Sequence, residues 1–284
     1  MENVKGETGR LVHLIGDVHL YDDKVDIRGQ QAWFSDAQNS LIVTDSIIIK
    51  TKDVTITADS MYFDISLRIA HLFRRVEVNK ATTEITSPEL IINLSNETSR
   101  VPFGARIRDT EEGIVISGDD LDYDFNAASG SLKRNPMLSD DNPNPEFWIK
   151  SKTMFLNQKN HTAEANEKVH IWADNSNVHC DYVILHYRDN YGNASGNISL
   201  ISSDGNITAD SANFVFKERR IQKIDLLPQV TTKYRTEGRD SVILTSKFLS
   251  IDLRKKKHEV LTFTGGANGT YYWTPEAEKA KHNK

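Results

Sequence analysis

The sequence predicts an all-β chain, an elongated β-jellyroll or solenoid of about eight repeated bent-strand units around an apolar interior groove. Three observations predict it. A short apolar block recurs at a near-constant interval, a small residue follows each block at a fixed distance, and β-branched runs alternate with polar turns along most of the chain.

Each unit is aligned on one apolar anchor: Ile27, Ile56, Ile85, Ile116, Ile149, Val178, Ile207 and Ile243, spaced by 29, 29, 31, 33, 29, 29 and 36 residues. Two residues on, the side chain is small in every copy: Gly29, Ala58, Ser87, Gly118, Ser151, Cys180, Ala209 and Thr245. Five residues on stand Ala32, Met61, Leu90, Leu121, Met154, Val183, Ala212 and Phe248. Seven on stand Phe34, Phe63, Ile92, Tyr123, Leu156, Leu185 and Phe214, with Ser250 breaking the series. Side chains two apart share a strand face, so the anchor and its second neighbour form one inward pair and the fifth and seventh residues another. The residues between them are spent on a turn, which makes the unit a bent strand. Three residues after the anchor, Asp59, Asp119, Asp181 and Asp210 are expected to accept local backbone N–H bonds at that turn, with Pro88 fixing φ in its copy.

Between the blocks lie return strands, among them Leu41 to Lys50, Ala70 to Lys80, Ala163 to Ala173 and Ala194 to Ile201. Polar turns such as Asp22-Asp23-Lys24 and Thr51-Lys52-Asp53 separate them. The stretch Asn135 to Pro145 carries three prolines and is expected to be an insertion loop (135–146) rather than a central strand. A flexible segment (1–10), a continuous array (11–270) and a polar tail (271–284), with a short helical pattern after Pro275, complete the expected organisation. The sixth position after the anchor adds an outward apolar signal, Trp33, Tyr62, Ile91, Phe155, Ile184 and Leu249, interrupted by Asp122 and Asn213.

Lys+Arg 35 against Asp+Glu 40 gives a net charge of −5, which argues against a nucleic-acid partner, because phosphate contacts demand a positive field. The run Arg254-Lys255-Lys256-Lys257-His258 reads as a solvated turn or an edge guard. One cysteine, Cys180, rules out an intrachain disulfide. The opening Met1 to Gly6 lacks the apolar core of an export signal, and no stretch approaches the roughly 20 apolar residues of a spanning helix. The chain reads as soluble, or as a mature product from which a signal has been removed. No cofactor or catalytic motif is present, and no metal site is expected: His170, His179, Cys180, Asp181 and His186 cluster in sequence, but strand alternation turns His179 away from Cys180. The chain is therefore expected not to be an enzyme. Paired turn carboxylates, Asp59 with Asp119 or Asp181 with Asp210, leave a β-helix glycosidase as one alternative, and a purely structural or adhesive solenoid is another.

The blocks Gly16-Asp17-Val18-His19-Leu20-Tyr21, Val54-Thr55-Ile56-Thr57-Ala58-Asp59-Ser60-Met61-Tyr62-Phe63-Asp64 and Gly205-Asn206-Ile207-Thr208-Ala209-Asp210-Ser211 resemble the repeats of the OstA/LptA group of lipopolysaccharide-transport proteins. That group includes the bridge protein LptA, the LptC ectodomain and the N-terminal domain of LptD, and the resemblance spans about residues 11 to 270. It implies a twisted β-jellyroll of stacked V-shaped strands in the periplasm, holding lipid A acyl chains inside. It also implies joining to other jellyroll components, or to further copies head to tail, through exposed edge strands. By register, the residues that would contact lipid are Ile27, Phe34, Ile56, Phe63, Ile85, Ile92, Ile116, Tyr123, Ile149, Leu156, Val183, Leu185, Ile207 and Phe214. The length, the proline-rich insertion and the missing export signal depart from the simplest member and leave open which member this chain is nearest.

Overall fold

A computed structural model describes residues 2–6, 9–173, 176–202, 205–217, 220–235, 241–253 and 260–272. Among these residues there are 23 strands and no helix. The chain divides into two compact units, one of residues 1–145 and 150–164, the other of residues 146–149 and 165–284.

The first unit holds β1 (Glu2–Gly6), β2 (Gly9–Tyr21), β3 (Asp26–Ser35), β4 (Ser40–Lys50), β5 (Thr55–Asp64), β6 (Ile69–Lys80), β7 (Thr83–Asn93), β8 (Thr98–Val101), β9 (Ala105–Asp109), β10 (Ile114–Asp124) and β11 (Ser129–Asp140). Two strands, β12 (Phe147–Lys150) and β14 (Thr162–Ala173), straddle the division, while β13 (Thr153–Asn157) lies in the first unit. The second unit continues with β15 (Ser176–His186), β16 (Tyr191–Ile201), β17 (Gly205–Lys217), β18 (Arg220–Leu227), β19 (Val230–Arg235), β20 (Ser241–Ser246), β21 (Phe248–Asp252), β22 (Val260–Thr264) and β23 (Asn268–Tyr272).

Within each unit, consecutive strands pair antiparallel, in a solenoid- or jellyroll-like arrangement. Thus β3 pairs with β2 and β4, β5 with β4 and β6, and β16 with β15 and β17. Where a bent strand breaks at its corner, its two arms appear as separate strands: β7 pairs with β8 through one arm and with β9 through the other, as β17 does with β18 and β19.

The bend has a specific backbone cause. On β4 the pairing with β5 skips from Thr44 to Ile47, and the skipped residues, Asp45 and Ser46, have φ of 66° and 60°. The same left-handed pair recurs as Gly16-Asp17 on β2, Arg74-Arg75 on β6, Glu167-Lys168 on β14 and Gly196-Asn197 on β16. Extra residues on one strand oppose fewer on its neighbour, which is a β-bulge, and a bulge bends and twists the strand. Stacked bulges make a continuous corner in each unit.

The corner aspartates differ from expectation in their partners. Asp59 binds Arg75 across the corner at 2.7 Å, and Asp181 accepts a hydrogen bond from the Asn197 side chain at 2.7 Å. Only Asp119 of these accepts a backbone N–H, that of Gly104 at 2.8 Å. At Asp59 and Asp181 the opposing left-handed residue, Arg75 or Asn197, projects its own side-chain donor beside the carboxylate, and at Asp59 that donor is charged, which strengthens the bond. The serines of the small-residue position share one device: Ser87, Ser151 and Ser246 each donate to the carbonyl two residues on, of Glu89, Thr153 and Phe248.

Two expectations change. The proline-rich stretch is strand as far as Asp140, with Asn135 at φ 50° and Pro136 buried next to it at the corner, where the ladder is already interrupted and no N–H is needed. The interruption is confined to residues 141–146. At the N-terminus, Glu2–Gly6 is not loose chain but a strand paired in full with β2. The basic run 254–258 and the tail after Pro275 lie outside the described residues.

The inward positions are the core. Ile56, Met61, Ile85, Leu90, Ile92, Ile116 and Leu121 are fully buried. Through seven copies the anchors and the fifth and seventh positions are buried or half-buried as expected. The eighth copy slips by one residue: Phe248 is exposed while Ser246, Leu249 and Ile251 are buried. The eighth anchor is Leu244, not Ile243, since Leu244, Ser246, Leu249 and Ile251 restore all four spacings. Leu244 also pairs with buried Thr232, which in turn pairs with Ile207.

Candidate functional site

Each bent strand runs from a turn of one series to a turn of another. The first series, 36–39, 65–68, 94–97, 125–128 and 158–161, follows the seventh position of each copy. Its geometry is built locally. A Ser, Asp or Asn one place earlier caps the turn, as Ser35 does for Gln38 N, Asp64 for Leu67 N, Asp124 for Ala127 N and Asn157 for Asn160 N. Each turn then closes on a left-handed residue: Asn39, Arg68, Glu97, Ala128 and His161. Successive turns bind one another, Ile65 N to Asn39 O, Leu94 N to Arg68 O, Phe125 N to Glu97 O and Gln158 N to Ala128 O. The second series, at Asp22–Val25, Thr51–Val54, Lys80–Thr83 and Asp109–Gly113, is capped in the same way by Asp22, Thr51 and Asp109.

In the first unit the two series meet. Arg68 binds Asp22 at 2.7 Å, Lys80 binds Glu97 at 3.1 Å, Thr83 donates to Gln158 at 3.0 Å, and His161 stands 3.8 Å from Glu112. Tyr123 also donates to the Gln158 carbonyl oxygen. The Arg68–Asp22, Lys80–Glu97, Thr83–Gln158 and His161–Glu112 pairs each join the two ends of the bent strands, so a polar seam closes this side of the first unit. Burial pushes the Tyr123 phenol up to about 12, so it remains a donor throughout the ordinary pH range.

In each unit the register-predicted residues, fourteen in all, face inward. Phe34 is half-buried; Ile27, Ile56, Phe63, Ile85, Ile92, Ile116, Tyr123, Ile149, Leu156, Val183, Leu185, Ile207 and Phe214 are buried. Most of them pack on other side chains. Three of them, Ile27, Phe34 and Phe63, line an apolar cavity of about 440 Å³ at the β2–β6 end of the first unit, with Val12, Leu14 and Leu41. Its polar lining includes the Arg68–Asp22 pair. The Arg68 guanidinium, aided by the backbone amides of Lys24 and Val25, holds the Asp22 carboxyl down at about 2.

Position nine after the anchor was not singled out in the sequence, yet Leu94, Phe125, Gln158, Tyr187 and Phe216 are buried there. The signal was available as a mostly apolar column, Ile65, Leu94, Phe125, Tyr187 and Phe216, broken by Asp36 and Gln158. Among the described residues no group of three or more His, Cys, Asp or Glu side chains is placed to hold a metal ion. His179 is exposed and Cys180 buried, on opposite faces of β15, and burial pushes the Cys180 thiol up to about 12.

The first unit is thus an antiparallel β-stack with an apolar inside, a polar seam and an apolar cavity whose lining includes Arg68. Comparison with protein-family models and with curated proteins yields no match.

Proposed function

We propose that this protein binds lipopolysaccharide or a related lipid by its acyl chains and passes it on, as one component of a periplasmic bridge between inner and outer membranes. The observation that carries this reading is the apolar cavity lined by Ile27, Phe34 and Phe63, set at one end of the inward apolar columns of the first unit. Its volume falls within the roughly 300–1,000 Å³ of small-ligand pockets. Each methylene moved there from water contributes about 0.8 kcal/mol before ordering costs. The resemblance of the repeat blocks to the OstA/LptA group supports the same reading. In the middle copies the interior is filled by its own side chains, so movement of a lipid along it requires the seam to part. End strands of such a stack present an edge to another jellyroll component or to a second copy.

Site-specific photocrosslinking tests the proposal. A crosslinker at Phe63 is expected to capture lipopolysaccharide, while one at exposed Lys52 is not. The filled middle copies favour a second reading, a structural or adhesive scaffold. That reading predicts no lipid adduct at Phe63 or Tyr123.

A further inference from the structure

The geometry points to Arg68 as an anion-recognising side chain at the β2–β6 cavity, and we propose that the occupant is a single-chain amphiphile whose carboxylate or phosphate oxygens bind this guanidinium. The inference rests on the acyl-binding reading and specifies the headgroup that accompanies the chain.

Arg68 lines the cavity among Leu14, Ile27 and Phe63. The turn from Asp64 places it there, with φ 55° at its own backbone. Its guanidinium carries five N–H donors and does not deprotonate. Asp22 takes one nitrogen, Nη1, at 2.7 Å. The remaining two, Nε and Nη2, are buried with no hydrogen-bond partner. Buried donors without an acceptor are costly, and a charged group more so. Nε and Nη2 together form one planar edge of the guanidinium, the edge that matches two oxygens of a carboxylate or phosphate.

The rest of the cavity suits the other end of such a molecule. Val12, Leu14, Leu20, Val25, Phe34 and Leu41 offer an alkyl chain nothing but apolar contact. A volume of about 440 Å³ lies near the low end of ligand pockets and fits one chain better than a bundle of several. Asp22 does not exclude the anion, because its side chain is 42% exposed and its charge is screened by water and salt. Asn39, Glu97, Ala128 and His161, at the equivalent turn position of the other copies in this unit, carry no guanidinium.

Calorimetric titration of the whole chain tests this with dodecanoate, dodecyl phosphate, dodecanol, dodecyltrimethylammonium and inorganic phosphate. The two anionic amphiphiles are expected to bind about tenfold or more tightly than dodecanol, the scale of a charge-assisted bidentate contact. Dodecyltrimethylammonium is expected to bind no better than dodecanol. Arg68→Gln is expected to remove the preference while leaving dodecanol affinity within about threefold. Asp22→Asn keeps the fold question separate: freeing Nη1 is expected to tighten dodecanoate binding. Equal affinity of the wild-type chain for dodecanoate and dodecanol would overturn the Arg68 subsite and leave acyl binding standing. Inorganic phosphate binding as tightly as dodecyl phosphate would overturn the amphiphile. No binding of any chain-bearing probe would overturn both this inference and the acyl-binding reading.

Discussion

The ring of Tyr123 lies over Gly130 on the neighbouring strand, so close that a Cβ added to Gly130 would stand 2.6 Å from Tyr123 Cδ2 and 2.9 Å from the Asp122 carbonyl oxygen. The two residues are directly paired, Tyr123 with Gly130 in the β10–β11 ladder, and the same match recurs where Phe214 pairs with Gly192. At these two positions the large seventh-position ring is thus accommodated by the absence of a side chain opposite. Gly130→Ala is expected to displace the ring or the backbone and to destabilise the fold by about 1–3 kcal/mol, the range of overpacked cores. Urea unfolding of the variant and the wild type gives the difference.

The one-residue slip of the eighth copy predicts an asymmetry between neighbours. Leu249 is buried at 1% exposure and Phe248 is 46% exposed. Leu249→Ala is expected to cost about 2–5 kcal/mol, and Phe248→Ala less than about 1 kcal/mol despite removing the larger side chain. Equal costs in denaturant titrations would return the anchor to Ile243.

Asp22 predicts an acid limb. Its folded-state carboxyl titrates at about 2, below its unfolded value near 3.9, so its contribution is fully present above about pH 4 and is lost as pH falls towards about 2. With 42% of the side chain exposed, the contribution stays under about 1 kcal/mol. Asp22→Asn is expected to flatten stability against pH in that window and to leave it unchanged near neutrality, apart from a constant offset.

Cys180 predicts a silent thiol. Burial raises it to about 12, so almost no thiolate exists at about pH 8. Ellman's reagent is expected to react at least about a hundredfold more slowly with the native chain than with chain unfolded in guanidinium, where an ordinary thiol titrates near 8.5. A native rate matching the unfolded one would place Cys180 at the surface.

What the sequence reveals of this architecture follows from side-chain alternation. Ile56, Ala58, Met61 and Phe63 sit two, three and two residues apart, and only a strand with a bend between the second and third puts all four on one side. Repetition of that spacing makes the bend readable without any single strong motif. The eighth copy was misplaced because Ile243 and Leu244 are both apolar, and only burial separates the register. Prolines misled at Pro136, since a bulged corner tolerates the residue that a regular ladder rejects. The closing contacts were not legible. Nothing local marks Arg68, Lys80 or Glu97 as paired, because the partners of Arg68 and Lys80 lie 46 and 17 residues away. The cavity escaped for a related reason: its lining, Ile27, Phe34 and Phe63, belongs to the same columns that elsewhere fill the interior.

The corners carry one more implication. Residues such as Arg74, Arg75, Glu167 and Lys168 hold a left-handed backbone that costs an L-residue roughly 1–2 kcal/mol, with no glycine to relieve it. A lone hairpin cut from this chain has too little burial to sustain that penalty and should relax to straight strands or coil. Curvature here is therefore a collective property: it arises only once enough neighbours have assembled, and excising one pair of strands should loosen the adjoining ones together.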